Sequence, residues 1–223
     1  MFEESLALYR ELRHKRGIAL CLRQSAVWLF LGARGDQAAA RARLDESLVL
    51  YREVGDKLGE AMYSWIAGWV VLREHDAESA RTLMEQSLAL CRELGDRWHM
   101  ILPIELLGRI EAHRGDFAAA RILHEDGLAM ARTLDDYWLC AFCLEGLASV
   151  VAAQGALAWA ARLWGAAEFL REHCGIPLTP VELADYTPAV AAVRTHLEEQ
   201  VFHAAWTQGR TLTIEQVLAT NTT

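Results

Sequence analysis

Hydrophobic and polar positions recur along the chain at helical spacing, and the whole pattern returns about every 40 residues. The segment SLALYREL at residues 5–12 comes back as SLVLYREV at 47–54 and as SLALCREL at 87–94. A period of roughly 20–50 residues indicates an array of small structural units that stack on their neighbours. The pattern therefore predicts an all-α fold that is built by repetition.

The turns of the repeats fall at regular positions. Asp36, Asp76, Asp116 and Ala156 each lie 40 positions after the one before. A carboxylate at a helix start can accept hydrogen bonds from unpaired backbone N–H groups, so the aspartates suit this position. The helix pairs that we predict are 16–33 with 37–54, 58–74 with 77–94, a third pair around residue 116, and a fourth between 137 and 172.

Glycine and proline indicate where these helices should end or distort. Gly55 and Gly95 follow two of the predicted second helices, and they suit the left-handed conformation that ends a helix. Pro103 lies well inside the predicted first helix of the third repeat. Because proline removes one backbone hydrogen bond, we expect this helix to kink or to start late.

Beyond residue 172 the repeat pattern breaks down. We therefore divide the chain into an array of about four helical hairpins over residues 1–172 and a helical C-terminal capping segment over 173–223. Two Thr-Pro pairs in the segment each place a capping residue before a proline at the first helical position, which predicts a short helical turn and then a longer helix. The pairs are Thr179-Pro180 and Thr187-Pro188.

The end of the capping segment contains two further signals. The longer helix should run to about Thr207, with Gly209 as its stop. Thr213 and Gln216 have the spacing of a capping box. They predict a last short helix that ends near Ala219.

Residues 1–13 match only the second helix of a repeat, so the array is expected to start in mid-repeat, as a piece of a longer protein would. A helix without its preceding neighbour leaves an apolar face uncovered, here Phe2, Leu6, Tyr9 and Leu12. A second copy of the chain could cover this face and form a homodimer through the N-terminal helix. In the alternative interpretation, this helix is a genuine cap.

Composition narrows the classes of partner. With 30 acidic and 22 basic residues the formal net charge is −8, which disfavours direct binding to nucleic acid or to an anionic membrane. The apolar run at 64–72 is far shorter than the roughly 20 residues that cross a bilayer. The first residues lack the basic start and apolar run of a secretory signal. We therefore expect a cytoplasmic protein with reduced cysteines.

The stretch LGRIEAHRGDFAAARILHEDGLAM, residues 107–130, resembles one tetratricopeptide repeat. Leu107-Gly108 stands where the first helix meets its partner, Gly115-Asp116-Phe117 makes the turn, and Ala120 with Gly127-Leu128 packs the second helix back. The resemblance implies a tetratricopeptide-type, right-handed solenoid of helical hairpins. The period of this chain exceeds the roughly 34 residues of the standard repeat, which longer first helices would absorb.

Residues 160–219 resemble the segment that closes the repeat region of large bacterial regulators with an ATPase core, many of them LuxR-type or AfsR-like transcription activators. The resemblance implies a sensor or coupling role for the repeats. The chain contains no GxxxxGK[ST] phosphate loop, and no second helix-turn-helix domain fits after Ala219. ATP binding and DNA binding are therefore not assigned to it.

No motif for catalysis or for a cofactor is present. The sequence lacks a Gly-x-Ser-x-Gly elbow and a His-Glu-x-x-His pair. Cys140 and Cys143 have the spacing of a redox or half-zinc motif, but no second pair or histidine cluster accompanies them. We expect buried thiols, no metal, no cofactor and no enzymatic activity, although an enzyme that uses Cys140 or a histidine is a third alternative.

The resemblance to tetratricopeptide repeats also implies candidate partner-binding residues, because first helices line the concave face of such arrays. We predict a protein or peptide partner, with a small-molecule effector in the concave groove as the alternative. An enclosed pocket at the two tryptophans would favour the small molecule, but neighbouring helices could also cover both rings. The candidates are Met62, Trp65, Trp69, Arg73, Leu102, Glu105, Arg109, His113, Phe142 and Glu145, together with Leu22, Ser25, Leu29 and Ser149.

Overall fold

A computed structural model of the chain describes residues 2–32 and 36–220. The prediction of an all-α fold is confirmed, because every regular element within these two ranges is a helix. The helices are α1 (Phe2–Glu11), α2 (Lys15–Leu31), α3 (Gln37–Val54), α4 (Lys57–Arg73), α5 (Ala77–Leu94), α6 (Arg97–His113), α7 (Phe117–Thr133), α8 (Tyr137–Ala153), α9 (Leu157–Cys174), α10 (Pro180–His196), α11 (Glu199–Thr211) and α12 (Ile214–Ala219).

Aspartates cap the helices at both kinds of turn. Oδ1 of Asp36, of Asp76 and of Asp116 accepts a hydrogen bond of 3.0 Å from the backbone N–H three residues on, as the repeat pattern predicts. Asp56 and Asp136 make the same bond at the starts of α4 and α8. The spacing of the turn aspartates does not predict these two caps, which start the first helices of repeats.

The predicted C-terminal stops are confirmed. Gly55 and Gly95 follow α3 and α5 with a φ of +68° each. In this left-handed conformation a side chain would be strained, whereas glycine has no Cβ to clash. These two positions explain why successive repeats turn at equivalent points of the sequence.

Of the two expected effects of Pro103, the late start is wrong, and the kink stays a prediction. Helix α6 begins at Arg97 and continues through Pro103 to His113. Ile101 and Leu102, directly before the proline, are 0% and 2% exposed. Burial of the flanking apolar side chains therefore outweighs the loss of one backbone hydrogen bond.

The second Thr-Pro pair does not start a helix. Helix α10 begins at Pro180, as predicted, but Pro188 lies inside it. Both Pro188 and Ala184, whose carbonyl loses its helical partner, are exposed. Water can satisfy this carbonyl group, so the helix continues past the proline.

Gly209 does not end a helix either. The predicted long helix is interrupted after His196, and α11 then runs through Gly209 to Thr211. Gly209 is instead a buried contact, because a Cβ there would overlap the backbone carbonyl of Arg162 in α9. The last short helix is confirmed, with a complete capping box between Thr213 and Gln216.

The chain divides into two compact units. Met1–Pro103 with Thr179–Val181 form the first unit, and Ile104–Leu178 with Glu182–Thr223 form the second. This grouping follows contacts in space, and it differs from the division predicted from the sequence, an array over 1–172 and a capping segment over 173–223. That division concerns which residues belong to a repeat, and it stays a prediction.

In the first unit, equivalent contacts recur from one repeat to the next. The ring of Tyr9 packs against Gly17, and the ring of Tyr51 packs against Gly59 in the same way, so that a Cβ at either glycine would overlap the ring. Both glycines lie eight positions after their tyrosine. Small residues at these points allow two helices to approach closely, which supports the assignment of a structural repeat.

The predicted uncovered face of α1 needs correction. Leu6 is only 4% exposed, because it packs with Cys21 and Leu22 of α2. Phe2 and Leu12 are exposed, at 38% and 73%. Helix α1 therefore turns Leu6 inward, while Phe2, Leu8 (59% exposed) and Leu12, just after the helix, stay open to solvent.

The homodimer through α1 stays a prediction, and the burial of Leu6 changes the variant that tests it. We expect Phe2→Glu with Leu12→Glu to abolish association, because covering each large apolar side chain is worth roughly 1.5–3 kcal/mol. Light scattering measures the state of the parent and of the variant. A parent that stays monomeric at high concentration would contradict the dimer, and Leu6→Glu should unfold α1 instead of testing association.

In the second unit, α9 is packed on several sides. Trp164 is fully buried, and Nε1 of Trp159 donates a hydrogen bond of 3.0 Å to the carbonyl of Val217. Gly165 faces the backbone of Trp206 in α11, as Gly209 faces that of Arg162. The predicted capping segment thus contains helices that pack directly on a repeat helix.

Candidate functional site

The predicted partner-binding residues differ widely in exposure. Trp65, Arg73 and Arg109 are half-buried, and His113 is exposed. Six others are buried, so each offers a partner little or no accessible surface. These six are Met62, Trp69, Leu102, Glu105, Phe142 and Glu145.

The two tryptophans on α4 are packed within the first unit. Trp69 is 6% exposed and meets Phe30 edge to face, with ring centroids 5.3 Å apart. The ring centroids of Trp65 and Trp69 lie 5.9 Å apart, and Trp65 packs on the cluster that contains Met62. These contacts agree with the interpretation that neighbouring helices cover the rings.

Polar candidates come together in the second unit. On α6, Nε of Arg109 donates to both carboxylate oxygens of Glu105, at 3.0 and 2.9 Å. The guanidinium carbon of Arg109 lies 4.9 Å from the ring centre of Phe142. Glu105 is completely buried, so this pair brings a charged group into the interior of the unit.

A second charged group is centred on Arg171 of α9. Its Nε and Nη2 donate to the two oxygens of Glu145 at 2.7 and 2.8 Å, and Nη2 also donates to Glu182 at 3.0 Å. All three side chains are nearly inaccessible to solvent. The bidentate pairing compensates for much of the cost of burying these charges.

His124 of α7 lies beside the first of these groups. It is 0% exposed, and neither Nδ1 nor Nε2 has a hydrogen-bond partner. Its Nδ1 is 3.7 Å from Oε1 of Glu105, which is too long for a hydrogen bond. Gly108 and Gly146 flank the ring, and a Cβ at either position would collide with it. The two glycines therefore make the space that the imidazole occupies.

The low polarity of the interior shifts the pKa values of these groups. Burial, reinforced by the positive charge of Arg109, lowers the pKa of His124 to about 3, so the imidazole is neutral at pH 7. Burial raises the pKa of Glu105 to about 7, although Arg109 opposes the rise. Burial also raises the pKa of Glu145. Three ionised glutamates and two guanidinium groups would leave one negative charge, and protonation of Glu105, whose pKa is about 7, removes it.

A cavity of about 490 Å³ opens beside this cluster. Its polar lining includes Arg109, His124, Glu145 and Glu182, and its apolar lining includes Phe117 and Val150. The predicted residues His113 and Ser149 also border it and are exposed, so the cavity is open to solvent. Helices α6, α7, α8 and α10 thus surround a pocket that combines charged, neutral polar and apolar groups.

A larger concavity, of about 640 Å³, lies elsewhere in the second unit. Three of the four charged residues that line it are paired, because Arg132 contacts Glu215 and Arg210 contacts Glu168 and Glu172. None of the buried polar atoms without a partner in the described residues belongs to its lining. The cavity at His124 is therefore the stronger candidate site, although it is smaller.

His124, Arg171 and Glu182 were not among the predicted site residues. A signal for the histidine was present, because Leu44, Met84, His124 and Trp164 occupy one repeat position at intervals of 40. The others at this position are large, apolar and fully buried. A histidine at a position that packs the core in the neighbouring repeats is an exception that the sequence alone could have revealed.

The close contact between Gly108 and His124 allows a test of the repeat alignment. Gly108→Leu should destabilise the protein by roughly 1–3 kcal/mol, because the new side chain would be forced against the His124 ring. Thermal unfolding measures the effect. Unfolding identical to that of the parent would contradict the close contact between α6 and α7.

Cys140 and Cys143 are buried, free thiols. Burial raises the pKa of Cys140 to about 12 and that of Cys143 above its usual range, so neither forms a thiolate readily at neutral pH. No group of three or more candidate ligands for a metal occurs in the ranges 2–32 and 36–220.

We predict that Cys174, which is half-buried, reacts with a thiol reagent before Cys140 and Cys143 in the native protein, because the buried thiols are protonated and shielded. Mass spectrometry of partially labelled protein identifies the first site. We also predict no stoichiometric zinc by elemental analysis. Early labelling at Cys140, or one zinc per chain, would contradict the interpretation of these thiols as packing residues.

No protein-family model matches the chain, and no characterised protein does so in sequence. None of the helices within the described ranges has the length and apolar character that crossing a membrane requires.

Proposed function

We propose that the chain is a non-catalytic helical-repeat domain that binds a small-molecule effector in the cavity beside His124. The observation that carries the proposal is the combination of a pocket of suitable size with a fully buried imidazole whose two nitrogens have no partner. Small-molecule sites are clefts of roughly 300–1,000 Å³ with mostly apolar walls and a few polar groups. The cavity of about 490 Å³ falls in this range.

The protonation of the candidate groups favours binding over catalysis. A general base works best when its pKa lies near the working pH, whereas the pKa of His124 is lowered to about 3. The buried thiols have raised pKa values, so they are poor nucleophiles. Glu105 has a pKa of about 7, but it is completely buried and bound to Arg109.

A protein or peptide partner is the second candidate function. It is supported by the exposed rim of the cavity, where His113, Ser149 and Pro188 are accessible to solvent. A single side chain of an extended partner could enter from this side. In this case the cavity would serve as the anchor point of a larger interface.

In either case we propose the role that the sequence resemblance implies, a sensor or coupling segment of a larger cytoplasmic bacterial transcription regulator. A ligand can couple to other domains only if it binds two conformations of the array with different affinity. The tetratricopeptide type of the repeats is part of this proposal. It is supported by the equivalent tyrosine–glycine contacts of the first unit, and an experimental structure that showed no common right-handed superhelix would contradict it.

The proposed function is tested by blocking the cavity. Ala153 lines the cavity and is exposed, so Ala153→Trp should fill the pocket at little cost to folding. Ala118 is exposed on α7 and does not line the cavity, so Ala118→Trp is the matched control. Both variants add the same side chain to an exposed helical position.

The parent, Ala153→Trp and Ala118→Trp are each examined by thermal shift in the presence of uncharged, anionic and cationic compounds that are small enough for the cavity. A compound that binds there raises the melting temperature of the parent and of Ala118→Trp but not of Ala153→Trp. If no compound of any charge class behaves in this way, the small-molecule function is contradicted. A peptide array probed with the same three proteins then tests the second candidate.

A further inference from the structure

We infer that the ligand of the cavity beside His124 is an uncharged amphipathic molecule that presents a carbonyl or amide group to His124 and Arg109. The inference rests on the proposed function, because it specifies the chemistry of the molecule that fills this pocket.

His124 provides the first requirement. A neutral imidazole has one nitrogen that donates and one that accepts a hydrogen bond, and burial keeps this imidazole neutral. Both nitrogens are buried without a partner, in a ring that lines the cavity. Because an unsatisfied buried polar group costs free energy, turning the imidazole toward the cavity so that a ligand supplies an acceptor or donor recovers that cost. An amide group can supply either.

The repeat pattern shows that packing alone does not demand this polarity. Met84 holds the equivalent position one repeat earlier, and it packs against Gly68 just as His124 packs against Gly108. An apolar side chain therefore fits the space between two such helices. The imidazole adds hydrogen-bonding groups that the fold does not use.

Arg109 provides the second requirement. Its hydrogen bonds within the described residues come from Nε, which donates to Glu105. The two terminal amino groups can still donate, and the side chain lines the cavity. Arginine has no acceptor, so it selects a ligand oxygen. His124 and Arg109 together define one polar end of the pocket.

Charge provides the third requirement. Glu145 and Glu182 line the same cavity as Arg109, so an anion at the polar end would be repelled by two carboxylates. Their oxygens already accept hydrogen bonds from Arg171, and a cation would also approach the guanidinium of Arg109. A charged head would lose its hydration beside carboxylates and guanidinium groups that are already paired with one another, and Asp185, the other carboxylate of the lining, is exposed and stays hydrated. An uncharged polar group avoids this cost.

The remaining walls suit an apolar body. Phe117, Val150, Leu178 and Pro188 are among the residues that line the cavity. Contact with them favours the apolar part of a ligand through removal of its surface from water. The complete site therefore matches a molecule with one carbonyl or amide end and a hydrocarbon remainder.

The inference is tested with three probes of one shape, benzamide, benzoate and benzamidine, which have the same ring and an uncharged, an anionic or a cationic head. Binding to the full chain is measured by NMR with ¹⁵N-labelled histidine. We expect benzamide to bind at least about fivefold more tightly than the two charged probes, a difference of the size that one satisfied hydrogen bond provides. Benzamide should also shift the ring ¹⁵N resonances of His124.

His124→Met is the matched variant, since Met84 shows that methionine packs well at this repeat position. We expect the variant to fold, to bind benzamide at least about fivefold more weakly and to bind toluene, which lacks a polar head, within about twofold of the parent. Unchanged benzamide binding in the variant would overturn the inference. Tighter binding of benzoate or benzamidine, or no binding of any probe, would also overturn it. The proposed function is tested separately, by the compounds whose binding Ala153→Trp should block.

Discussion

Replacing Arg171 by methionine is expected to lower the free energy of unfolding by roughly 3–5 kcal/mol, the usual effect of removing one partner from a buried ion pair. The guanidinium makes three hydrogen bonds to Glu145 and Glu182, and all three side chains are nearly inaccessible to solvent. Without it, two carboxylates would remain close together in the interior. Urea unfolding at pH 7 measures the effect.

The stability of the Arg171→Met variant should fall as the pH rises. Burial already raises the pKa of Glu145, and loss of Arg171 should raise it further. The folded state would then bind more protons than the unfolded state above the ordinary glutamate pKa, so stability should fall as the pH rises from about 5 to 8. The parent should lose less stability over this range.

Two control variants separate the buried pair from a general loss of charge. Arg210→Met removes a more exposed arginine that contacts Glu168 and Glu172, and it should cost less than about 1 kcal/mol. Adding Glu145→Gln and Glu182→Gln to Arg171→Met should restore much of the lost stability. If Arg171→Met is as stable as Arg210→Met, the charged group does not hold α8, α9 and α10 together.

Replacing Gly209 by valine is expected to destabilise the protein by about 3 kcal/mol, at the upper end of typical overpacking. A Cβ at Gly209 would overlap the backbone carbonyl of Arg162, and one at Gly165 would overlap that of Trp206. Backbone cannot rotate away as a side chain can, so α11 would have to separate from α9. Chemical unfolding followed by circular dichroism measures the change.

Thr207→Val is the control for this prediction. Thr207 is exposed on the same helix, so a valine there should change stability by less than about 0.5 kcal/mol. Equal stability of Gly209→Val and Thr207→Val would contradict the close packing of α9 and α11.

Four of the predicted binding residues come together for a local reason. Arg109, His113 and Glu145 border the cavity, and Glu105 binds Arg109. Their positions follow from repeat spacing on two first helices, which the sequence shows directly. Trp65 and Trp69 satisfied the same spacing but belong to the packed interior of the first unit. Periodicity indicates the face on which a side chain lies, and it does not indicate whether a neighbouring helix covers that face.

By itself, the sequence determined the features that depend on neighbours within one turn of helix. The aspartate caps, the left-handed stops at Gly55 and Gly95, and the capping box at Thr213 appear in the structure where the residues predict them. Only the tertiary structure decided features that depend on distant neighbours. Arg171 forms a hydrogen bond with Glu145, which is 26 positions away in the sequence. Gly209 of α11 lies directly against Arg162 of α9. The neutrality of His124 has the same origin, because the surrounding helices remove water from its ring.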